Sequence, residues 1–179
     1  MAKAISGSGY SINRAPSRLL ARILPPAVIV LGSILQTLPF IASAPIMPPL
    51  GFLFLLAWRQ LRPGVLPVWA GLPLGFADDL FSGQPMGCAM LLWSIAMIVL
   101  DILEQRFPWR SYLMDWMVAG LIISAYLVFA AAFAHFGETQ PYLVLVVPQL
   151  LFSVLVFPLA ERFIALCDRL RLWRFRAAG

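Results

Sequence analysis

Apolar residues along this chain fall into six long runs, at 25–41, 44–61, 65–80, 87–103, 112–136 and 142–160. Short stretches rich in charge, proline or glycine separate them. None of the runs alternates with period two, as a half-buried strand would. A bilayer core of about 30 Å needs about 20 apolar residues in a helix, and the runs approach that length. The second run is densest at 50–58 and reaches spanning length only when counted from 44 to 61. Proline is tolerated in a first helical turn, so Pro25 and Pro26 fit the start of the first run. The pattern predicts an all-α polytopic membrane protein with six transmembrane helices.

The basic residues give those runs a direction. Lys3, Arg14, Arg18 and Arg22 precede the first run, and Arg59 and Arg62 follow the second. Arg106 and Arg110 follow the fourth, and Arg162, Arg169, Arg171, Arg174 and Arg176 follow the sixth. The alternate connections, 42–48, 81–86 and 137–141, contain no Lys or Arg. Cytoplasmic loops carry the excess of Lys and Arg, so both termini are expected in the cytoplasm. Ala42-Ser43-Ala44 has the form of a signal-peptidase site, but the long basic lead-in argues against cleavage.

Three segments are expected: a cytoplasmic basic N-terminal segment at 1–22, a six-helix membrane domain at 23–160, and a cytoplasmic tail at 161–179. In the tail Phe163, Leu166, Leu170 and Trp173 recur at three and four residues, while Arg162, Arg169 and Arg176 recur at seven. That spacing describes an amphipathic basic helix lying on anionic membrane lipids.

Composition agrees with this pattern. The 179 residues are 61% hydrophobic and 12% charged, with mean hydropathy +0.88, whereas soluble domains run at about 45–50% apolar and about 25% charged. The net charge of +5 sits at the ends of apolar runs, where it reads as a topology signal and not as a nucleic-acid surface.

Candidate chemistry concentrates between Leu66 and Leu103. Asp78 and Asp79 end the third run, and a carboxylate at membrane depth is costly and usually functional. Gly71 and Gly75 are four apart, a spacing that lets a second helix approach closely. At about 100° per residue, Gly71, Gly75, Asp78 and Asp79 share one side of a helix. Pro73 is expected to kink that helix in mid-span.

Ser82, Gly83, Gln84, Pro85 and Gly87 form a tight connection to the fourth run. In it the two glycines permit left-handed backbone angles and Pro85 fixes a dihedral. Ser82 and Gln84 are candidates to cap the next helix or to bond Asp79. Asp101, Glu104 and Asp115 are expected to balance Arg106 and Arg110. Asp115, near a helix start, also benefits from the helix dipole.

Catalytic signatures are lacking. The sequence has no Gly-x-Ser-x-Gly, His-Glu-x-x-His or Gly-x-x-x-x-Gly-Lys string. Adjacent carboxylates point about 100° apart on a helix, which suits a paired acid/base site poorly. Cys88, Cys167 and His135 have no metal-ligand spacing. No enzyme activity, cofactor or metal is expected.

The string Gly75-x-x-x-Asp79-Leu80-Phe81-Ser82-Gly83-x-x-x-Gly87, with Gln36-Thr37-Leu38-Pro39 and the Met47-Pro48-Pro49 start of the second run, resembles the MreD family of rod shape-determining membrane proteins. The resemblance runs from about Ile34 to Leu103 and more weakly to Pro158 and the tail. It implies that Asp79 is the family acid and Asp78 an addition. It also implies a bacterial inner-membrane protein without catalysis, partnered by MreC within the elongation machinery of MreB, RodA and an elongation-specific class B penicillin-binding protein. The fold it implies resembles the substrate-binding membrane subunits of energy-coupling-factor vitamin transporters. A small-molecule transport subunit is therefore the alternative function, with Asp79, Gln36, Gln149 and Ser94 as the few polar groups its spans offer.

Overall fold

In a computed structural model the described residues are 18–37, 47–107, 111–134 and 142–171, and they contain six α-helices and no strand. These are α1 (Arg18–Leu35), α2 (Leu50–Leu61), α3 (Gly71–Ser82), α4 (Cys88–Arg106), α5 (Tyr112–Ala134) and α6 (Tyr142–Arg171), with a single 3₁₀ turn at Val68–Ala70 before α3. Several expected features lie outside the described residues: 1–17, Ala42-Ser43-Ala44, Leu38 and Pro39, Arg110, His135, and 172–179 with Trp173, Arg174 and Arg176.

Three helical segments are long and apolar enough to cross a membrane by themselves: Cys88–Arg106, Tyr112–Ala134 and Val146–Leu170. The described residues contain six helices, as expected, of which α2 and α3 are the shortest, each 12 residues long. At 1.5 Å per residue that is about 18 Å, short of a bilayer core. The third run divides because Pro67 holds an extended backbone, with ψ 153°, and a 3₁₀ turn intervenes before Gly71.

Two proline expectations change with these boundaries. Pro73 is the third residue of α3, where the backbone N–H has no intrahelical partner anyway, so it does not interrupt the span. Pro25 and Pro26 lie inside α1, which begins at Arg18, and not in its first turn.

α2 is central. Phe52, Leu53, Leu55, Leu56, Ala57 and Trp58 are all 0% exposed, so this helix is apolar on every side and is packed around its whole circumference. It contacts α1, α4, α5 and α6. The outer helices show the opposite pattern, with Met117 and Leu121 on α5 and Leu155 on α6 more than 70% exposed. Apolar side chains turned outward in this density fit a lipid-facing surface.

Successive helices alternate in direction, as their end contacts show. The C-terminal residue Arg62 beyond α2 pairs with Asp168 near the end of α6, while Gln60 bonds the Asp115 carbonyl at the start of α5. At the other end, Gln149 in the N-terminal half of α6 donates to the Met47 carbonyl ahead of α2 at 2.8 Å. α6 itself continues without a break past Ala160 to Arg171, so the first part of the expected tail is the end of the sixth helix. Phe163, Leu166 and Leu170 face outward there, whereas Ile164, Cys167 and Asp168 pack inward.

α3 and α4 form the tightest pair, and glycines set their separation. A Cβ at Gly75 would lie 2.6 Å from Met90 Cα and 2.7 Å from the Ala89 carbonyl, and one at Gly71 would lie 2.8 Å from the Trp93 carbonyl. These are backbone atoms and cannot yield without moving a helix. Gly75→Ala is expected to lower stability by about 1–3 kcal/mol, as overpacking does. Gly120→Ala, whose Cβ would meet Val154 at an ordinary 3.5 Å, is expected to stay within about 0.5 kcal/mol. Unfolding midpoints of the two variants in the same detergent compare them directly.

Candidate functional site

The site is built at the α3–α4 turn. Gly83, directly after the last residue of α3, has φ +68°, and Gly87, directly before the first residue of α4, has φ +92°. Both are left-handed angles that favour glycine. Gly87 has no side chain, so α4 starts without a cap of its own. Its first N–H groups would otherwise be orphaned.

Asp79 supplies the missing acceptor from across the turn. Its Oδ2 accepts from Gly87 N at 3.0 Å and Met90 N at 3.1 Å, and its Oδ1 accepts from Ala89 N at 2.8 Å. Those donors are the N-cap and second and third positions of α4, the groups that a capping box would satisfy. The carboxylate also sits at the positive end of the α4 dipole.

Gly71, Gly75 and Asp79 are spaced by four and face the same partner. They meet Trp93 and Ser94, then Ala89 and Met90, then the N-terminus of α4. The close approach that the glycines allow brings a short aspartate side chain within reach of three amides. Neither Ser82 nor Gln84 caps α4 or bonds Asp79, a correction of the expected role. Ser82 Oγ and Gln84 Oε1 are buried without a hydrogen-bond partner, because the backbone leaves the helix at Gly83 before either side chain reaches the α4 terminus. Pro85 is exposed, and its carbonyl accepts from Cys88 N at 3.1 Å.

Asp78 points elsewhere, as the rotation of one residue requires. It is 2% exposed and lies against Gly51 and Ser33, on α2 and α1. A Cβ at Gly51 would overlap the Ser33 hydroxyl and come 3.2 Å from Asp78 Oδ1. The two acids thus share burial but no partner. The expected single packing face divides into an α4 side for Asp79 and an α1–α2 side for Asp78.

Residues 17–161 match the family model described as MreD, rod shape-determining protein MreD. The chain belongs to the MreD family. It is therefore a rod shape-determining membrane protein, of a family that is structural and not known for enzymes. No curated protein and no solved structure matches the chain.

A second polar cluster in this MreD-family chain lies at the opposite end of the bundle and was not foreseen from the sequence. Arg59, 3% exposed, bonds Asp101 at 2.6 Å and Glu104 at 2.9 Å, and donates to the Leu66 carbonyl at 3.3 Å. Asp101 and Glu104 both pair with Arg59 of α2, a partner not among those expected, and Arg110 lies outside the described residues. The two acids are three residues apart on one face of α4. That spacing was a readable signal, but only packing shows that the face meets α2. Among the described residues no group of three His, Cys, Asp or Glu is placed to hold a metal.

Substitutions at Asp79 and at Arg59 test these clusters. Asp79→Ala leaves three buried or half-buried amides without their acceptor and is expected to destabilise by about 3 kcal/mol, Asp79→Asn by less because one acceptor oxygen survives. Hydrogen exchange should quicken first at Gly87, Ala89 and Met90. Arg59→Ala removes the buried guanidinium that Asp101 and Glu104 share and is expected to cost about 3 kcal/mol, with Arg59→Ala plus Asp101→Asn recovering part of the loss in the same unfolding assay.

Proposed function

We propose that the chain is a non-catalytic inner-membrane adaptor of the rod complex, which binds MreC and helps couple MreB filaments to peptidoglycan synthesis by RodA and a class B penicillin-binding protein. The family match carries the reading, and the use of Asp79 supports it. The family acid is bonded to three backbone amides of its own chain. A carboxylate so engaged holds a turn in shape; it is poorly placed to move protons for a substrate.

The bundle in this reading has six spans with both termini in the cytoplasm. The arginines beyond α2 and at the ends of α4 and α6 then share the inner side with Arg59 and its acids. The short helices α2 and α3 reach across with the aid of their flanking segments. Gly71, Gly75, Asp78, Asp79, Ser82, Gly83, Pro85 and Gly87 form the outer half of the α3–α4 hairpin, and spans one to three offer the surface for the single membrane helix of MreC.

A transporter subunit similar to those of energy-coupling-factor systems is less well supported. Of two cavities, the one of about 340 Å³ between α4 and α5 is lined by apolar side chains and Tyr126, and the polar one of about 380 Å³, at Gln60, Tyr112, Asp115, Glu161 and Arg162, lies away from the Asp79 turn where a transport reading places its ligand. A polar vitamin needs several converging polar groups. Purification from the native host in mild detergent is expected to bring down MreC with wall-elongation proteins and no stoichiometric small molecule. Recovery of an ATPase and coupling subunit, or of a bound vitamin, overturns the adaptor. In growing cells Asp79→Ala is expected to impair rod shape more than Asp78→Ala, scored by cell width; wild-type rods from both variants would remove Asp79 from the function.

A further inference from the structure

The cavity between α4 and α5 is a lengthwise groove in the apolar outer surface of the bundle. Its floor is formed by Phe52 of α2, Leu92 and Ala96 of α4, and Ile122 and Tyr126 of α5, each at most 8% exposed. Its rim is formed by Leu91 and Ile95 of α4 and by Leu121, Phe129 and Phe133 of α5, all exposed. No lining residue carries a charge. The groove therefore passes between two of the enclosing helices and reaches the central one. Small side chains at Ala96 and Ala125 keep it open.

Its length and position match one leaflet of a bilayer. The lining runs from Leu91 to Val99 on α4 and from Leu121 to Phe133 on α5. At 1.5 Å per residue those stretches are about 12 and 18 Å long. Half of a bilayer core is about 15 Å thick. Leu91 lies in the first turn of α4 and Phe133 in the last turn of α5. The groove thus occupies the half of the bundle that carries the Asp79 turn.

Shape selects the occupant. Apolar cavities stay dry, and a gap between apolar walls forfeits dispersion contacts on both sides. Acyl chains are as apolar as leucine, so packing and not hydrophobicity decides between a lipid and a protein partner here. A volume of about 340 Å³ spread over about 15 Å leaves a channel about 5 Å across. A helix with its side chains is about 10–12 Å wide and can only lie over the rim. A single hydrocarbon chain, with carbon contacts at about 3.5–4.0 Å, enters to the floor. We propose that the groove holds one acyl chain of a phospholipid from the leaflet on the Asp79 side, seated against Leu92, Ile122 and Tyr126. With both termini in the cytoplasm, that is the outer leaflet. The chain completes the packing that side chains leave open between α4 and α5.

The test uses the full chain in phosphatidylcholine nanodiscs that include a phosphatidylcholine with a photoreactive diazirine midway along one acyl chain. After illumination, mass spectrometry of the digested protein locates the adducts. They are expected at Leu92, Ile122 and Tyr126, and also at Leu155, which is exposed on α6 and reports ordinary lipid contact. Ala125→Trp puts a large side chain into the groove from an exposed position. It is expected to lose the floor adducts and to keep those at Leu155. Adducts at Leu155 with none on the floor overturn the proposal. Floor adducts that Ala125→Trp leaves unchanged also overturn it, since the chain then enters elsewhere. The same measurement on the complex recovered from the host, moved into the same nanodiscs, is expected to keep the floor adducts. Their loss there gives the groove to a partner's helix and overturns the proposal. Where Ala125→Trp fails to fold, judged by its unfolding midpoint, Ala96→Leu fills the groove from the other wall and is read in the same way.

Discussion

A helix that begins in a low-dielectric setting brings four unsatisfied amides and a partial positive charge with it. In α4 the residue at the cap is Gly87, chosen by a left-handed backbone angle and therefore without a side chain to answer them. Asp79 answers them from the preceding helix with three hydrogen bonds. This contact demands that α3 and α4 lie nearly backbone to backbone, which only the Gly71 and Gly75 surfaces permit. Turn, glycine stripe and acid are one device: remove the acid and the turn loses its anchor, fill a glycine and the acid loses its reach.

The rest of the bundle is organised by the same shortage of backbone and charge partners. α2 is only 12 residues long and is apolar on every side, so its neighbours enclose it. Its far end carries Arg59, whose charge is matched by Asp101 and Glu104 and whose remaining reach goes to a loop carbonyl at Leu66. Non-helical backbone at membrane depth is tolerated where protein groups satisfy it. Arg59 does so at one end of the bundle as Asp79 does at the other. The pairing comes at a desolvation cost that nearly cancels its attraction, so its contribution is to fix how α2 and α4 sit together rather than to add much stability.

A shape-determining membrane protein needs a defined surface more than a reactive centre, and the polar groups that bridge its helices serve definition. Each is aimed at another element of the same chain: Asp79 at α4, Arg59 at α4, Arg62 at Asp168 of α6, Trp116 at the Val154 carbonyl of α6. The outward faces of α5 and α6 are apolar and unbroken by charge through their middle turns.

The sequence by itself determined the membrane family and the number of helices. Those depend on composition, on run length and on residue types such as Gly83 and Gly87 whose backbone preferences are local. It also singled out Asp79, through the Asp-Leu-Phe-Ser-Gly string and not through geometry, since adjacent acids on one helix look alike until their partners are known. Tertiary structure decided the rest. Helix lengths fell short at α2 and α3 because apolarity measures burial in protein as well as in lipid, and proline roles changed because their meaning depends on distance from a helix start. The partners of Arg59, Asp78 and Asp79 lie on other helices. Long-range pairing of charges is set by which faces pack together, and no spacing within a single run encodes that.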